Sequence, residues 1–141
     1  MAASGGCMCK AVRYEIQGQA QAEFVCHCRA CQYASGGSGA AVVVANRANV
    51  RLTAGQPRTY WSRSDSGAQV GRQFCEFCGT PVFSDLEAQP DLLIVKVGSL
   101  DDPAAFKPAA NHWAEAAQPW HRLADDVPSF PKGPESPSQN P

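Results

Sequence analysis

The chain has 141 residues, of which 44% are hydrophobic and 18% charged, and its formal net charge is −1. This length fits one domain with its own core, and the balanced charge argues against a nucleic-acid-binding protein, which usually carries a clustered basic excess. The longest apolar run, Ala40 to Ala45, is far shorter than the roughly 20 residues that cross a bilayer as a helix. The first six residues lack the basic start and the long apolar stretch of a signal peptide. We therefore expect a cytoplasmic protein with neither a nucleic-acid nor a membrane partner.

Glycine and proline recur along the sequence, and no long stretch keeps a helical period. Alternating and β-branched residues instead predict a mainly β protein with little helix. The predicted strands, in chain order, are Lys10 to Ile16, Ala40 to Ala45, Asn49 to Thr53, Arg58 to Ser62, Val70 to Cys75, Thr80 to Ser84 and Leu92 to Val97. Helix is predicted only in two short pieces, Arg29 to Ala34 and Pro103 to Phe106.

The end of the chain differs in composition from the rest. After Phe130 it reads Pro-Lys-Gly-Pro-Glu-Ser-Pro-Ser-Gln-Asn-Pro, which contains no apolar residue able to anchor it. We predict a single zinc-binding domain over residues 1–130, followed by a disordered, proline-rich tail over residues 131–141.

Seven cysteines carry the clearest chemical pattern in the sequence. They fall into three clusters: Cys7 and Cys9; Cys26, Cys28 and Cys31; Cys75 and Cys78. In a reducing cytosol clustered cysteines are more often metal ligands than disulfides, and an odd number leaves one thiol unpaired. A Cys-x-x-Cys pair lets a tight turn aim both sulfurs at one centre, and Gly79 after the second cysteine tolerates the positive φ of such turns. The pattern predicts bound zinc.

Zinc favours four tetrahedral ligands, so seven thiols divide naturally as four plus three. The middle cluster is compact enough to hold one ion by itself, and we call it the three-cysteine cluster: Cys26, Cys28 and Cys31. The remaining thiols would form a closed site that joins the start of the chain to a distant hairpin, and we call them the four-cysteine cluster: Cys7, Cys9, Cys75 and Cys78.

Two other arrangements stay open at this point. Cys28 and Cys31 could join Cys75 and Cys78 as a zinc ribbon. Alternatively, both ions could be structural, with His27 or a distant residue closing the second site.

The motifs resemble those of the glutathione-dependent formaldehyde-activating enzyme family, which shares a superfamily with centromere protein V. The resemblance runs from about Gly5 to Phe130. It is carried by Gly5-Gly6-Cys7-x-Cys9, Val12-Arg13-Tyr14, Cys26-His27-Cys28-x-x-Cys31-Gln32, Phe74-Cys75-x-x-Cys78-Gly79-Thr80 and Gln118-Pro119-Trp120. One departure is Lys10, which stands where the family usually has glycine. We expect Lys10 either at the exposed start of a strand or with its charge partly offsetting that of the thiolate site.

The resemblance implies antiparallel sheets packed like a tent around two zinc ions per chain. It implies a structural ion at the four-cysteine cluster and a catalytic ion at the three-cysteine cluster. It also implies condensation of glutathione with formaldehyde, which is classed as carbon–sulfur lyase activity in the reverse sense. The implied partner is a small-molecule substrate, glutathione or another thiol.

The chemistry of a three-thiolate site supports an enzyme of this kind. Zinc with three thiolates carries a net charge of −1, which weakens its power to acidify bound water and suits a soft fourth ligand such as a substrate thiolate. We therefore expect a carbon–sulfur lyase-type enzyme that acts on a small thiol adduct, with a non-catalytic zinc-stabilised binding module as the alternative. A zinc deaminase would need a ligand-x-Glu segment, and a thioredoxin-like role would need a βαβ context. The sequence shows neither.

Several polar residues near the cysteines are secondary candidates. His27 is expected to be a surface residue of the turn between Cys26 and Cys28. The alternative hypothesis is that it acts as a proton shuttle or as a metal ligand. Arg29 would either bind a substrate carboxylate or face water. His112 and His121 are expected to be packed surface residues beside tryptophans.

Overall fold

The computed structural model describes residues 2–134, which fall into two compact units. The first unit contains residues 2–21 and 43–105, and the second contains residues 22–42 and 106–134. The strands are β1 (Ala3–Gly6), β2 (Arg13–Ile16), β3 (Ala22–Cys26), β4 (Ala40–Asn46), β5 (Val50–Ala54), β6 (Arg58–Arg63), β7 (Gln69–Phe74), β8 (Pro81–Leu86), β9 (Leu92–Lys96) and β10 (Asn111–His112). The only α-helix of the described residues, α1, spans Arg29–Ser35. Short 3₁₀ turns cover Arg47–Asn49, Val97–Ser99, Pro103–Ala105 and Ala114–Ala116.

The first unit contains a small antiparallel sheet in the order β1-β2-β5. Gly5 on β1 pairs with Tyr14 on β2. A side chain at Gly5 would meet the Tyr14 hydroxyl at 2.5 Å, so glycine is what allows β1 to lie against the buried tyrosine.

The larger sheet of the first unit has the order β4-β9-β8-β7-β6. Its central strands supply the core, because Val82 and Val95 are fully buried and Phe83 nearly so. The ring of Tyr14 packs on Phe83 with centroids 4.8 Å apart. The outer strand β6 is exposed along most of its length, as expected for an edge strand.

In the second unit, β3 pairs in parallel with the two-residue strand β10 and lies next to β4 in the sheet order. Residues 40–42 of β4 belong to this unit and residues 43–46 to the first. The helix α1 directly follows β3, so all three cysteines of the middle cluster lie between the end of one strand and the first turn of one helix.

The predicted fold class is confirmed, since strands dominate and helix is scarce. The predicted strands all occur within a few residues of their expected bounds, and the predicted helix at Arg29 is present as α1. The second predicted helix is only a 3₁₀ turn at Pro103–Ala105. Three strands were not predicted, namely β1, β3 and β10. The segments β1 and β10 are short and rich in glycine or polar residues, so they show no strand pattern.

The strand predicted from Lys10 begins only at Arg13. Lys10 has a φ of +69°, in the left-handed region, and its N–H donates to the Cys7 carbonyl at 3.0 Å. It therefore belongs to the ligand turn, not to the start of a strand. Glycine tolerates this conformation best, which accounts for the residue usual in the family at this position.

The predicted tail begins within the described residues and extends beyond them. The carbonyls of Pro131 and Lys132 accept hydrogen bonds from Glu115 and Trp113. Residues 135–141 lie outside the described part, so the tail stays a prediction. Between residues 2 and 134, no helix combines the length and apolar character needed to cross a membrane.

Candidate metal centres

The four-cysteine cluster assembles in the first unit from two tight turns. The sulfur atoms of Cys7, Cys9, Cys75 and Cys78 all lie within 4.8 Å of one another. The Sγ atoms of Cys7 and Cys9 are 3.6 Å apart, and those of Cys9 and Cys75 are 3.7 Å apart. These separations are too long for a disulfide bond, and none of the four forms one.

Main-chain hydrogen bonds shape both turns of this cluster. At the first turn, the N–H of Cys7 donates to the Val12 carbonyl at 3.0 Å. At the second, the N–H of Cys75 donates to the Thr80 carbonyl, and Gly79 takes a φ of +79°. The N–H of Val12 also donates to the Cys7 sulfur at 3.2 Å. Hydrogen bonds of this kind stabilise the charged thiolate.

The spacing of these sulfurs fits a tetrahedral metal ion. A Zn–S bond of about 2.3 Å places the sulfurs of a tetrahedron about 3.8 Å apart. The two sulfur–sulfur distances given above lie close to this value. The four sulfurs therefore lie close enough together to hold one zinc-sized cation.

The three-cysteine cluster assembles in the second unit at the junction of β3 and α1. The sulfurs of Cys26, Cys28 and Cys31 lie within 4.8 Å of one another. The Cys28 sulfur caps α1 by accepting the Cys31 N–H at 3.3 Å. Cys31 is buried, whereas Cys26 and Cys28 are half-buried. Among residues 2–134, no histidine, aspartate, glutamate or further cysteine joins this group.

Comparison with known protein families gives a match over most of the chain. The family model described as glutathione-dependent formaldehyde-activating enzyme matches residues 2–116. The chain belongs to this family.

A solved structure supports the same fold. The chain resembles the crystal structure of a protein from Rhodobacter sphaeroides with a TM-score of 0.55 and 21% sequence identity. The match covers 70% of this chain and 87% of the other. At this level of identity the likeness shows a shared fold alone. No curated protein matches the sequence.

The thiols of the four-cysteine cluster differ in acidity. Hydrogen bonds from Thr80 lower the pKa of Cys78 to about 5. Burial alone would raise the pKa of Cys7, but hydrogen bonds from the Val12 N–H and neighbouring thiols bring it below its ordinary value. A main-chain hydrogen bond opposes the rise at Cys9, yet burial and three neighbouring thiols raise its pKa to about 12.

The same crowding affects the three-cysteine cluster. Close contacts with the thiols of Cys28 and then Cys31, together with burial, raise the pKa of Cys26 far above its ordinary value. Thiols this close cannot all become thiolates unless a cation compensates their charge. Both family clusters therefore have the chemistry of metal sites.

His27 lies between two of these cysteines but is not one of the cluster. Its side chain is 1% exposed, so the predicted surface position is wrong. Its Nε2 atom lies 3.1 Å from the Asn111 Oδ1 atom, and burial lowers the pKa of the imidazole. The reason is the parallel strand β10, which covers this side of the ligand turn and which no local sequence pattern reveals.

Arg29 and the other histidines are held by neighbours within the second unit. The Arg29 guanidinium lies over the Tyr33 ring at 4.6 Å and donates to the Gln32 Oε1 atom at 2.5 Å. His112 stacks on Phe24 with ring centroids 3.9 Å apart. His121 lies 5.4 Å from the His27 ring, measured between centroids. Both His112 and His121 are half-buried.

Proposed function

We propose that the chain is a zinc-dependent enzyme of the carbon–sulfur lyase type, which acts on a small thiol adduct at the three-cysteine cluster. Membership of the glutathione-dependent formaldehyde-activating family supports the reaction class. The observation that carries the proposal is the difference between the clusters. One offers four sulfurs, which complete a tetrahedron, and the other offers only three within the described residues.

An incomplete ligand set leaves a coordination position for a substrate. A zinc ion bound there would lower the pKa of an incoming thiol and hold it as a thiolate. Cys26 and Cys28 are half-buried, so the protein keeps this side of the cluster partly accessible. Cys31 is buried and belongs to the first turn of α1.

The reaction we propose joins a thiol to a small aldehyde or releases one from its adduct. In the joining direction, the thiol sulfur bonds to the carbonyl carbon and the thiol proton ends on the former carbonyl oxygen. In the lyase direction, the carbon–sulfur bond breaks and the hydroxyl proton returns to sulfur. Glutathione and formaldehyde are the first pair to test, because the family description names them.

The proposed metal content is two zinc ions per chain, one in each cluster, and the four-cysteine ion has a structural role. The proposed compartment is the cytoplasm. None of the seven cysteines takes part in a disulfide bond, which fits a reducing environment.

Replacing one ligand in each cluster tests the proposal. Cys28→Ser should abolish turnover of glutathione with formaldehyde and leave a folded protein that retains about one zinc per chain. Zinc is measured by elemental analysis of protein that has not met a chelator, and folding by circular dichroism. The matched variant Cys78→Ser should lose the other ion and unfold more readily.

Two results would contradict the proposal. Full turnover by Cys28→Ser would exclude a reaction centred on this cluster. A fourth protein ligand on the second ion would favour the alternative, a zinc-stabilised binding module in which both ions are structural.

A further inference from the structure

We infer that Gln32 and Asn111 are positioning residues that act through their buried side-chain amides. They hold the loop that carries Cys26, Cys28 and Cys31, which we call the ligand loop, in its metal-binding form. They do so by tying this loop to the C-terminal segment 109–132. We call this segment the C-terminal strap. The inference rests on the proposed function in one respect, that the three-cysteine cluster holds a metal ion.

Main-chain hydrogen bonds place the strap alongside β3 and the ligand loop. The Val25 N–H donates to the Ala110 carbonyl at 3.1 Å, and the His27 N–H donates to the His112 carbonyl at 2.9 Å. The strap then folds back on itself, because Asn111 exchanges main-chain hydrogen bonds with Pro128 and Phe130. The strap thus contacts the ligand loop between two of its cysteines.

Gln32 fixes the ligand loop from the helix side. Its side chain is 4% exposed, and its Nε2 atom donates to the His27 carbonyl at 2.8 Å and to the Ala116 carbonyl at 3.0 Å. Its Oε1 atom accepts from Arg29 at 2.5 Å and from Gln118 at 3.0 Å. Both donors and both lone pairs of this one amide are therefore used, which leaves Gln32 a single orientation.

Asn111 fixes the same loop from the strap side. Its side chain is 1% exposed, and its Nδ2 atom donates to the Ala124 carbonyl at 3.0 Å and to the Ser129 hydroxyl at 3.2 Å. Because a carbonyl can only accept, Nδ2 must face Ala124 and Oδ1 must face His27. His27 Nε2 therefore carries the proton and donates to Oδ1.

The two amides act on one residue that separates two ligands. His27 donates its main-chain N–H and its Nε2–H to the strap, and its carbonyl accepts from Gln32. These hydrogen bonds fix the main chain from which the Cys26 and Cys28 side chains project. Metal sites tolerate only small deviations in ligand distance, so loss of an amide should loosen the ion before it unfolds the protein.

Neither amide belongs to the cluster of potential metal ligands, and neither can ionise. Their effect must therefore pass through the loop. A purely structural role would predict equal weakening of both metal sites and of the fold. A positioning role predicts a selective effect on the three-cysteine cluster.

The experiment measures zinc release to a chromogenic chelator from the intact, zinc-loaded chain. Gln32→Met and Gln32→Glu both remove the donations to His27 and Ala116, and Glu retains an acceptor for Arg29 and Gln118. Both variants should release the ion of the three-cysteine cluster about 10-fold faster than wild type. The ion of the four-cysteine cluster should leave at the wild-type rate. Asn111→Leu should show the same selectivity.

Two matched controls test the selectivity. Gln118→Met removes a hydrogen bond that Gln32 accepts but none that it gives to the loop, so release should change little. Thr80→Val removes the hydroxyl beside the Cys78 sulfur in the four-cysteine cluster. It should speed release of the ion from that cluster alone. Replacement of zinc by cobalt gives a second readout. The ligand-field bands of cobalt in the three-cysteine cluster should shift in Gln32→Glu.

The inference is overturned if Gln32→Glu and Asn111→Leu release both ions at wild-type rates, or accelerate both ions equally. These outcomes do not depend on turnover. A wild-type protein without lyase activity would defeat the proposed function and leave the positioning role open to the same measurement.

Discussion

Among single residues outside the two cysteine clusters, Tyr14 has a pKa that folding clearly changes. It is fully buried, and its hydroxyl lies 2.6 Å from that of Ser99. Ser99 donates its own proton to the Lys96 carbonyl, so Tyr14 is the donor in the pair. Burial raises the pKa of Tyr14 to about 12. Folding therefore favours the neutral form of the phenol.

This predicts a specific alkaline weakness. Below the ordinary value of 10.0 the phenol is neutral in both states, so the full stability is present. Between 10.0 and about 12 the unfolded chain releases the proton and the folded chain retains it, so stability falls as pH rises, by up to about 1.4 kcal/mol per pH unit.

Tyr14→Phe should remove this component of the alkaline loss and cost about 1 kcal/mol at neutral pH, because Ser99 loses its donor. Urea unfolding of the zinc-loaded protein on either side of pH 10.0 measures both effects. A parallel decline in wild type and variant would show that Tyr14 does not cause it.

At the scale of elements, α1 depends on its two ends. A helix of seven residues is marginal by itself, so its stability must come from caps and packing. The Cys28 sulfur caps the start, and Gly36 closes the end in the left-handed conformation with a φ of +76°. The buried residues Cys31 and Gln32 supply the packing. A candidate metal ligand thus also begins the helix that carries the next candidate ligand.

The end of this helix offers a clean comparison of two glycines. An added methyl group would meet nothing within 4 Å at either Gly36 or Gly37, but only Gly36 has a left-handed φ. Gly36→Ala should therefore lower the free energy of unfolding by about 1 kcal/mol through backbone strain alone.

Gly37→Ala is the control, and it should be neutral or slightly stabilising because it restricts the unfolded chain. Both variants are compared with wild type by urea unfolding. Equal destabilisation by the two would indicate a packing effect and contradict the strain explanation.

At the scale of the whole molecule, the four-cysteine cluster brings together residues that are far apart in the sequence. Cys9 and Cys75 stand 66 positions apart in the sequence and their sulfurs lie 3.7 Å apart. A cation held there closes this long loop, which costs the unfolded chain much of its conformational freedom. The three-cysteine cluster closes only a short local turn.

The two clusters should therefore contribute unequally to stability. Structural zinc sites contribute about 10 kcal/mol or more in small zinc-dependent peptides, so Cys78→Ser should lower stability by several kcal/mol. Cys28→Ser should cost much less, because its cluster spans few residues. Thermal unfolding in the presence and absence of a chelator measures the difference, and comparable losses in the two variants would contradict this ranking.

Some strands of this protein can be predicted from the sequence and others cannot. β4 and β9 were predictable because runs of valine, isoleucine and leucine have a strong preference for buried strands. Strands β1 and β10 were not, since Ala3–Gly6 and Asn111–His112 become strands only through their partners β2 and β3. The predicted start of β2 at Lys10 was wrong, because Lys10 has a positive φ that belongs to a turn and not to a strand.

The candidate sites divide in a similar way. The spacing of the cysteines led to the four-plus-three grouping that the structure also has. The burial of His27 and the hydrogen bonds of Gln32 and Asn111 left no trace in the local sequence. Asn111 lies 84 positions from His27 in the sequence, and Ala116 lies 84 positions from Gln32.

By itself, the sequence determined the mainly β composition and the identity and local spacing of the seven thiols, because strand preference and ligand turns act over a few neighbouring residues. Only the tertiary structure decided that Cys7 and Cys9 meet Cys75 and Cys78, and that the C-terminal strap covers the three-cysteine loop. Contacts between distant segments depend on which pairing satisfies buried polar groups and core packing together, and that choice is made by the whole folded chain.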